Sequence, residues 1–223
     1  MSDLLETYEE ACQAVKEWGI VPLSSCIPDH PSLEALTPAE AWHTGLLTDP
    51  WLWRDRLPAE GVAAYGRFFA GKPLLVASTL FPLLKCLLSP DEGVEERYEA
   101  GLLARSTVRV YRLISEHEGI DVKTLRKLAG LHDRSAKSEF DHALIDLQES
   151  GDILISGISG RLNEHGNKSG WSSACYTLSE RWMEEHALPP LTLSRDEARA
   201  QLFAQLEPRW SANALLYLRR KLK

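Results

Sequence analysis

The stretch that decides the fold is "SAKSEFDHALIDLQESGDILISG", residues 135–157. Its apolar residues Phe140, Ala143, Leu144 and Leu147 recur at the i, i+3, i+4, i+7 spacing of one helix face. Gly151 ends this helix, because glycine readily adopts the left-handed conformation that follows a helix. The run "DILISGI" that comes next predicts a strand. The stretch therefore predicts a helix followed at once by a β-strand.

Two further helices are predicted upstream and a second strand downstream. "GLLARSTVRVYRLISEHEG" (101–119) places its apolar residues on one helix face, and Asp121 caps a second helix, "VKTLRKLAG" (122–130). Downstream, the polar segment "SGRLNEHGNKSG" (159–170) leads to the strand "SACYTLS" (173–179). Three short helices followed by a β-hairpin with a long polar tip are the pattern of a winged helix-turn-helix, which we predict at residues 102–186.

In a winged helix the third helix lies in the major groove and the wing reaches phosphates or the minor groove. The predicted DNA contacts are therefore the polar and basic residues of the third helix, of the turn before it and of the wing tip. They are Arg134, Ser135, Lys137, Ser138, His142, Arg161, Asn163, Asn167 and Lys168. The third helix also carries four carboxylates, at Glu139, Asp141, Asp146 and Glu149, which repel phosphate. A protein-interaction scaffold therefore stays open as an alternative, with a protein as its partner.

The remainder of the chain predicts further helical parts. Residues 1–90 are predicted as a divergent helical or winged-helix-like domain, 91–101 as an acidic linker, and 187–223 as a C-terminal helical pair. Within the first domain, "GVAAYGRFFAG" (61–71) is interpreted as a helix. The predicted fold class is mainly α with small β-hairpins (α+β), a winged helix-turn-helix that is possibly tandem.

The tryptophan-rich stretch "TDPWLWRDRL" (48–57) has two interpretations. Asp49 as N-cap and Pro50 at the first position predict a short helix that ends before Pro58. At most one of Trp51 and Trp53 can then be central to a core, because residues two apart do not share a helix face. In the other interpretation the tryptophans stack on bases or wedge into DNA, while Arg54 and Arg56 clamp phosphates as additional DNA contacts.

Charge and composition limit the functional classes. The net charge is −7, divided between 7 basic and 16 acidic side chains in residues 1–101 (−9) and 18 and 16 in residues 102–223 (+2). Any contact with DNA is therefore expected to be local. Four dispersed cysteines predict reduced, mostly buried thiols in a cytoplasmic protein, and the acidic N-terminus and lack of a long apolar run predict neither a signal peptide nor a membrane span. The histidines lack metal-like spacing, and phosphate-loop, esterase and zinc-protease motifs are absent, so no metal and no cofactor is predicted.

Several phrases together resemble a known group of proteins. They are "PSLEALTPAEAWHTGLLTDPWLWRDRL", "AAYGRFFAGKPLLVASTLFPLL", "KSEFDHALIDLQESGDILISG" and "GWSSACYTLSERW". From about Ile20 to Trp182 the chain resembles a bacterial group of uncharacterised winged-helix proteins related to the AlkZ-type DNA glycosylases. The glycosylases excise alkylated bases with a Gln-x-Gln or Gln-x-Asp pair. The glutamines of this chain, Gln13, Gln148, Gln201 and Gln205, form neither pair, so the resemblance implies a shared scaffold and transfers no catalytic residue.

We therefore predict a non-enzymatic winged-helix protein that binds double-stranded DNA in transcription or DNA repair. The first alternative is a DNA glycosylase-like base-excision enzyme that lacks the usual glutamine pair and activates water with Asp49 or Asp55. The second is the protein-interaction scaffold.

Overall fold

The computed structural model describes residues 4–69, 71–159 and 173–222. In these ranges the helices are α1 (Tyr8–Trp18), α2 (Leu33–Leu36), α3 (Pro50–Ala59), α4 (Phe81–Leu88), α5 (Val94–Glu99), α6 (Arg105–Glu116), α7 (Val122–Leu128), α8 (Lys137–Glu149), α9 (Ser179–Glu185), α10 (Arg195–Leu206) and α11 (Ala212–Lys221), with a 3₁₀ turn at Ala39–Ala41. The strands are β1 (Ile20–Pro22), β2 (Ala63–Gly66), β3 (Leu74–Ala77), β4 (Ile120–Asp121), β5 (Ile153–Ser159) and β6 (Ser173–Leu178).

The strands form one antiparallel sheet in the order β1-β3-β2-β5-β6-β4. Strands from the N-terminal 90 residues thus continue into strands from residues 102–186, joined where Tyr65 of β2 pairs with Ile155 of β5. The α+β class is confirmed, but the strands build a six-stranded sheet and not separate small hairpins. The division into domains stays a prediction.

The sheet separates two hydrophobic cores. Successive residues of each strand point to opposite faces, so Tyr65 and Leu75 join one core while Ala64 and Val76 join the other. The first core is completed by helices that include α1, α3, α6 and α8, and the second by helices that include α4, α9, α10 and α11. Both faces are covered, so β2 and β3 are buried at every position.

The helices that the sequence predicts between residues 102 and 150 are present as α6, α7 and α8. Asp121 caps α7 by accepting the backbone N–H groups of Lys123 and Thr124, and Gly151 follows α8 with a φ of 68°. The apolar residues of the α8 stripe are all buried, as predicted. In α7, Leu125 is buried whereas Leu128 is exposed. β4 lies between α6 and α7 and pairs with β6, so the order of elements is α6–β4–α7–α8–β5–β6.

Residues 61–71 are not the predicted helix, since they contain β2. The error has a physical cause: a strand buried on both faces shows no alternation of apolar and polar residues, so its pattern cannot be told from a buried helix. The helix at 48–57 begins as predicted, with Asp49 as cap and Pro50 first, but it extends to Ala59 with Pro58 inside its last turn.

The segment 91–101 contains α5, which is anchored to the sheet. Arg97 is buried, and its guanidinium pairs with Asp152, immediately before β5, at 2.6 Å. The predicted linker therefore holds a helix that packs on the rest of the fold. The two helices predicted after residue 187 are present as α10 and α11, capped by Ser194 and Ser211.

The four cysteines are free thiols, and Cys175 is buried while Cys12, Cys26 and Cys86 are half-buried. The prediction of mostly buried thiols was therefore too strong. Over the described parts of the chain, no helix combines the length and the apolar character that crossing a bilayer needs. The cytoplasmic location stays a prediction.

Candidate functional site

A cleft of about 1340 Å³ opens on the side of the sheet that carries α3 and α8. Its floor is the sheet, one wall is α8 with the turn before it, and the other wall is α3 with the preceding segment at Trp42 and His43. Tyr65, Ile155 and Tyr176 form one row of the floor, because Ile155 pairs with Tyr65 on one side and with Tyr176 on the other. Tyr65 and Tyr176 therefore lie on either side of Ile155, and both are largely buried, with exposures of 4% and 7%.

Burial dominates the chemistry of this floor. It raises the pKa of the Tyr65 hydroxyl, while the neighbouring Arg54 acts in the opposite direction. It also raises the pKa of Tyr176 to about 12, again against a nearby cation, Arg67. Both hydroxyls are therefore neutral at physiological pH and can donate a hydrogen bond to a ligand.

The α8 wall brings together the predicted DNA contacts of the third helix. Arg134, Ser135, Lys137, Ser138 and His142 are exposed and line the cleft. Their positions are set by the turn between α7 and α8, where the Arg126 guanidinium donates to the carbonyl oxygens of Leu131 and Asp133 at 2.7 and 2.8 Å.

The carboxylates of α8 are distributed unevenly around the helix. Asp141 lines the cleft, but Glu139, Asp146 and Glu149 are not among its lining residues. Glu149 accepts the backbone N–H of Gly71 at 3.2 Å. Most of the negative charge that argued against DNA binding therefore lies away from the cleft.

The α3 wall answers the question raised by the two tryptophans. Trp53 is 1% exposed and belongs to the core, whereas Trp51 is half-buried and lines the cleft. Its ring lies 4.6 Å from the ring of His43 and 6.5 Å from that of Trp42. The Arg54 guanidinium stacks on it, 3.2 Å from the ring centroid. Trp51 and Arg54 thus form a joined aromatic and cationic surface.

Asp55 is the unusual group of this wall. It is 5% exposed, lines the cleft, and its Oδ1 lies 3.3 Å from Nε of Arg54. Its Oδ2 is buried without a hydrogen-bond partner among the described residues. Burial raises the pKa of the Asp55 carboxyl from 3.8 to about 6, and the charge of Arg54 only partly opposes this. A carboxylate kept in such surroundings is typical of a functional site.

Asp49, the other acid proposed for catalysis, accepts hydrogen bonds from backbone N–H groups. Its Oδ1 accepts the N–H groups of His43 and Trp51 at 3.0 and 2.9 Å, and its Oδ2 accepts that of Gly45 at 2.8 Å. It is 1% exposed and does not line the cleft. Asp49 therefore shapes the loop before α3 and caps the helix.

Arg54 and Arg56 of α3, both predicted as additional DNA contacts, lie in different surroundings. Arg54 lines the cleft, whereas Arg56 pairs with Glu60 at 2.6 Å and lies over the ring of Tyr8. The wing-tip contacts Arg161, Asn163, Asn167 and Lys168 lie outside the described residues.

Three cations at the cleft are available to a ligand. Within the described ranges, Arg67, Arg134 and Lys137 form no ion pair, and they share the cleft with the acids Glu34, Asp55 and Asp141. The same ranges contain no cluster of histidine, cysteine or acidic residues that could hold a metal ion. The cleft thus combines aromatic stacking surfaces with cationic groups, a combination that suits a base and a phosphate.

Sequence reasoning missed Trp42, Tyr65, Arg67 and Tyr176 as site residues. The incorrect helix at 61–71 concealed that Tyr65 lies in the sheet. The pairing of β2 with β5 is a contact between residues 90 positions apart, for which the local pattern holds no signal. The sequence shows Gln148 only as a glutamine outside any Gln-x-Gln or Gln-x-Asp pair. In the structure it is buried, and its Oε1 accepts the backbone N–H of Arg67 at 3.1 Å, which joins α8 to the end of β2.

The family model described as AlkZ related matches residues 5–223. No curated protein and no solved structure matches the chain. The match covers nearly the whole sequence, so both walls and the floor of the cleft lie inside it.

Proposed function

Since the chain belongs to the AlkZ-related family, we propose that it binds DNA in the cleft between α3 and α8. The family points to a protein associated with DNA repair, and DNA binding is the finer proposal made here. One observation carries it. Five predicted DNA contacts of the third helix and the turn before it, distant in sequence from α3, line the same cleft as Arg54.

The chemistry of the cleft fits a nucleic acid better than a small metabolite. Its volume exceeds the roughly 300–1,000 Å³ of ordinary small-molecule pockets. Arg134 and Lys137 at the rim can pair with phosphates. The half-buried Trp51 ring can contact an unpaired base, and the buried Tyr65 and Tyr176 can donate hydrogen bonds from the floor. We therefore propose that duplex DNA lies along the rim and that an unpaired nucleotide enters the cleft.

We propose further that residues 102–186 are a winged helix-turn-helix. The proposal is supported by the order α6–β4–α7–α8–β5–β6, by the antiparallel pairing of β4, β6 and β5, and by the polar segment 159–170 between the last two strands. In this arrangement α8 is the recognition helix.

Fluorescence anisotropy with a labelled duplex tests the proposal. Binding should weaken steeply with salt, and Arg134→Ala with Lys137→Ala should flatten the slope of log K against log [salt] by about 2. Both side chains are exposed and form no ion pair with a described residue, so this variant should fold normally. Arg56→Ala is the matched control, since it removes an arginine that lies outside the cleft.

Two results would contradict the proposal. The first is the absence of binding at low salt, which would favour the protein-interaction scaffold. The second is binding that Arg56→Ala weakens as much as the double variant does, because DNA would then lie elsewhere on the surface.

A second candidate function, base excision, is favoured by Asp55 alone. Hydrolysis of the bond between base and deoxyribose needs a group that takes a proton from water while the water oxygen adds to C1′ and the C1′–N bond breaks. Asp55 would accept that proton, and an alkylated, positively charged base would leave as a neutral molecule with the electron pair of the broken bond. A carboxyl with a pKa of about 6 is mostly ionised at neutral pH and suits this role.

Release of free base from methylated duplex DNA tests this candidate. Asp55→Asn should reduce the rate by about 10²-fold or more, while Asp141→Asn, which removes an exposed carboxylate of the facing wall, should retain activity. No release by the unmodified protein, or full activity of Asp55→Asn, would eliminate base excision and leave DNA binding untouched.

A further inference from the structure

Leu46 and Leu47 are large, exposed apolar residues in the loop whose first residue, His43, lines the cleft. They are 62% and 88% exposed and follow one another in the loop that connects His43 to Asp49. We propose that these two leucines form a wedge that enters the base stack of DNA bound at the cleft. The proposal rests on the proposed DNA binding and adds the element that separates the bases.

The loop is held in a defined shape, as a wedge requires. The Asp49 carboxylate accepts three backbone N–H groups, two of them from His43 and Gly45 within the loop. The indole Nε1–H of Trp53, which is anchored in the core, donates to the carbonyl oxygen of Leu47 at 2.7 Å. His43 and Gly45 have φ values of 62° and 73°, so the backbone folds back at both positions. The leucine side chains are therefore exposed on a braced loop, with little ordering entropy to lose on binding.

The position of the loop connects it to the cleft. His43, at the start of the loop, lines the cleft and contacts the ring of Trp51, and Trp51 in turn carries the Arg54 guanidinium. The loop that carries the two leucines thus begins at the aromatic and cationic groups of the α3 wall. Across the cleft lie Arg134 and Lys137.

The surroundings favour DNA over an apolar protein partner. Leucine is among the side chains that proteins insert between base steps, where they unstack the bases and bend the duplex. The unstacked step exposes an apolar surface that leucine covers, while Arg134 and Lys137 across the cleft meet the phosphates. A nucleotide displaced from the stack would find Trp51 and the tyrosines of the floor within the same cleft.

The experiment compares two duplexes, one fully paired and one with an abasic site that leaves a gap in the stack, with 2-aminopurine beside the gap. The unmodified protein should bind the gapped duplex more tightly and raise its 2-aminopurine fluorescence. Leu46→Ser with Leu47→Ser should weaken binding to the gapped duplex about tenfold or more, because leucine burial is lost, and should abolish the fluorescence rise. Its affinity for the paired duplex should change less than threefold.

Leu102→Ser is the matched control, since Leu102 is 69% exposed and does not line the cleft. Circular dichroism checks that the folds are equal. Binding of both duplexes by the unmodified protein, with no preference for the gap or no effect of the double substitution, would overturn the wedge while leaving DNA binding intact. Absence of all DNA binding would overturn both. Self-association that the double substitution abolishes, with DNA binding unchanged, would assign the leucines to a protein contact and overturn the wedge.

Discussion

Replacement of Asp55 by asparagine is expected to stabilise the protein at neutral pH. The folded state holds the Asp55 proton more tightly than the unfolded chain does, with a pKa of about 6 against 3.8. Stability from this group is therefore fully present below pH 4 and is lost as the pH rises through about 6. The difference of about two pKa units corresponds to about 3 kcal/mol, and the carboxyl is too well buried for solvent screening to reduce it much.

Urea unfolding of the unmodified protein and of Asp55→Asn between pH 4 and pH 7.5 measures this effect. Asparagine resembles the protonated acid, so the gain in unfolding free energy of Asp55→Asn over the unmodified chain should be small at pH 4. It should grow to about 3 kcal/mol at pH 7.5. Asp141→Asn, an exposed aspartate of the facing wall, controls for the loss of one negative charge. If the difference in unfolding free energy between Asp55→Asn and the unmodified protein stays constant over this pH range, the pKa of Asp55 is not raised by folding and the reasoning is refuted.

Three further predictions concern the effects of substitutions. Trp53→Ala should lower the free energy of unfolding by about 3–5 kcal/mol. Trp51→Ala should lower it less but weaken the free energy of DNA binding by about 1–3 kcal/mol. Equal losses of unfolding free energy in the two variants would contradict this. Asp49→Ala should cost about 3 kcal/mol by thermal unfolding, because three N–H groups lose their acceptor, and a loss below 1 kcal/mol would be inconsistent with that role. Asp152→Ala should lower the free energy of unfolding by about 3–5 kcal/mol, because it leaves the buried Arg97 without its carboxylate partner. Adding Arg97→Met should recover at least half of that loss in the same unfolding measurement. If the effects of the two substitutions simply add, the two residues are not coupled.

The helices could be predicted wherever a single face of the helix is buried. The stripe of Phe140, Ala143, Leu144 and Leu147 predicts α8, since its opposite face stays in water. Asp121 and Asp49 predict helix starts because capping is a contact between residues two or three positions apart. The α3 stretch also revealed that only one of its tryptophans could be central to a core, although not which one.

The site was predictable in part for the same reason. The residues of α8 that line the cleft follow from helix periodicity and from the place of the third helix in a winged helix. Arg54 and Arg56 are indistinguishable in the sequence. In the structure Arg54 stacks on Trp51, whereas Arg56 contacts Tyr8 and Glu60.

The sequence by itself thus determined the local elements, their caps and the balance of charge that confines any DNA contact to a local surface. Only the tertiary structure decided that β2 pairs with β5, which places Tyr65, Ile155 and Tyr176 in one row on the floor of one cleft. It also decided that Asp55 is buried beside Arg54, and that Leu46 and Leu47 remain exposed. The physical reason is that burial and strand pairing depend on segments far apart in the chain, whereas periodicity and capping depend on neighbours.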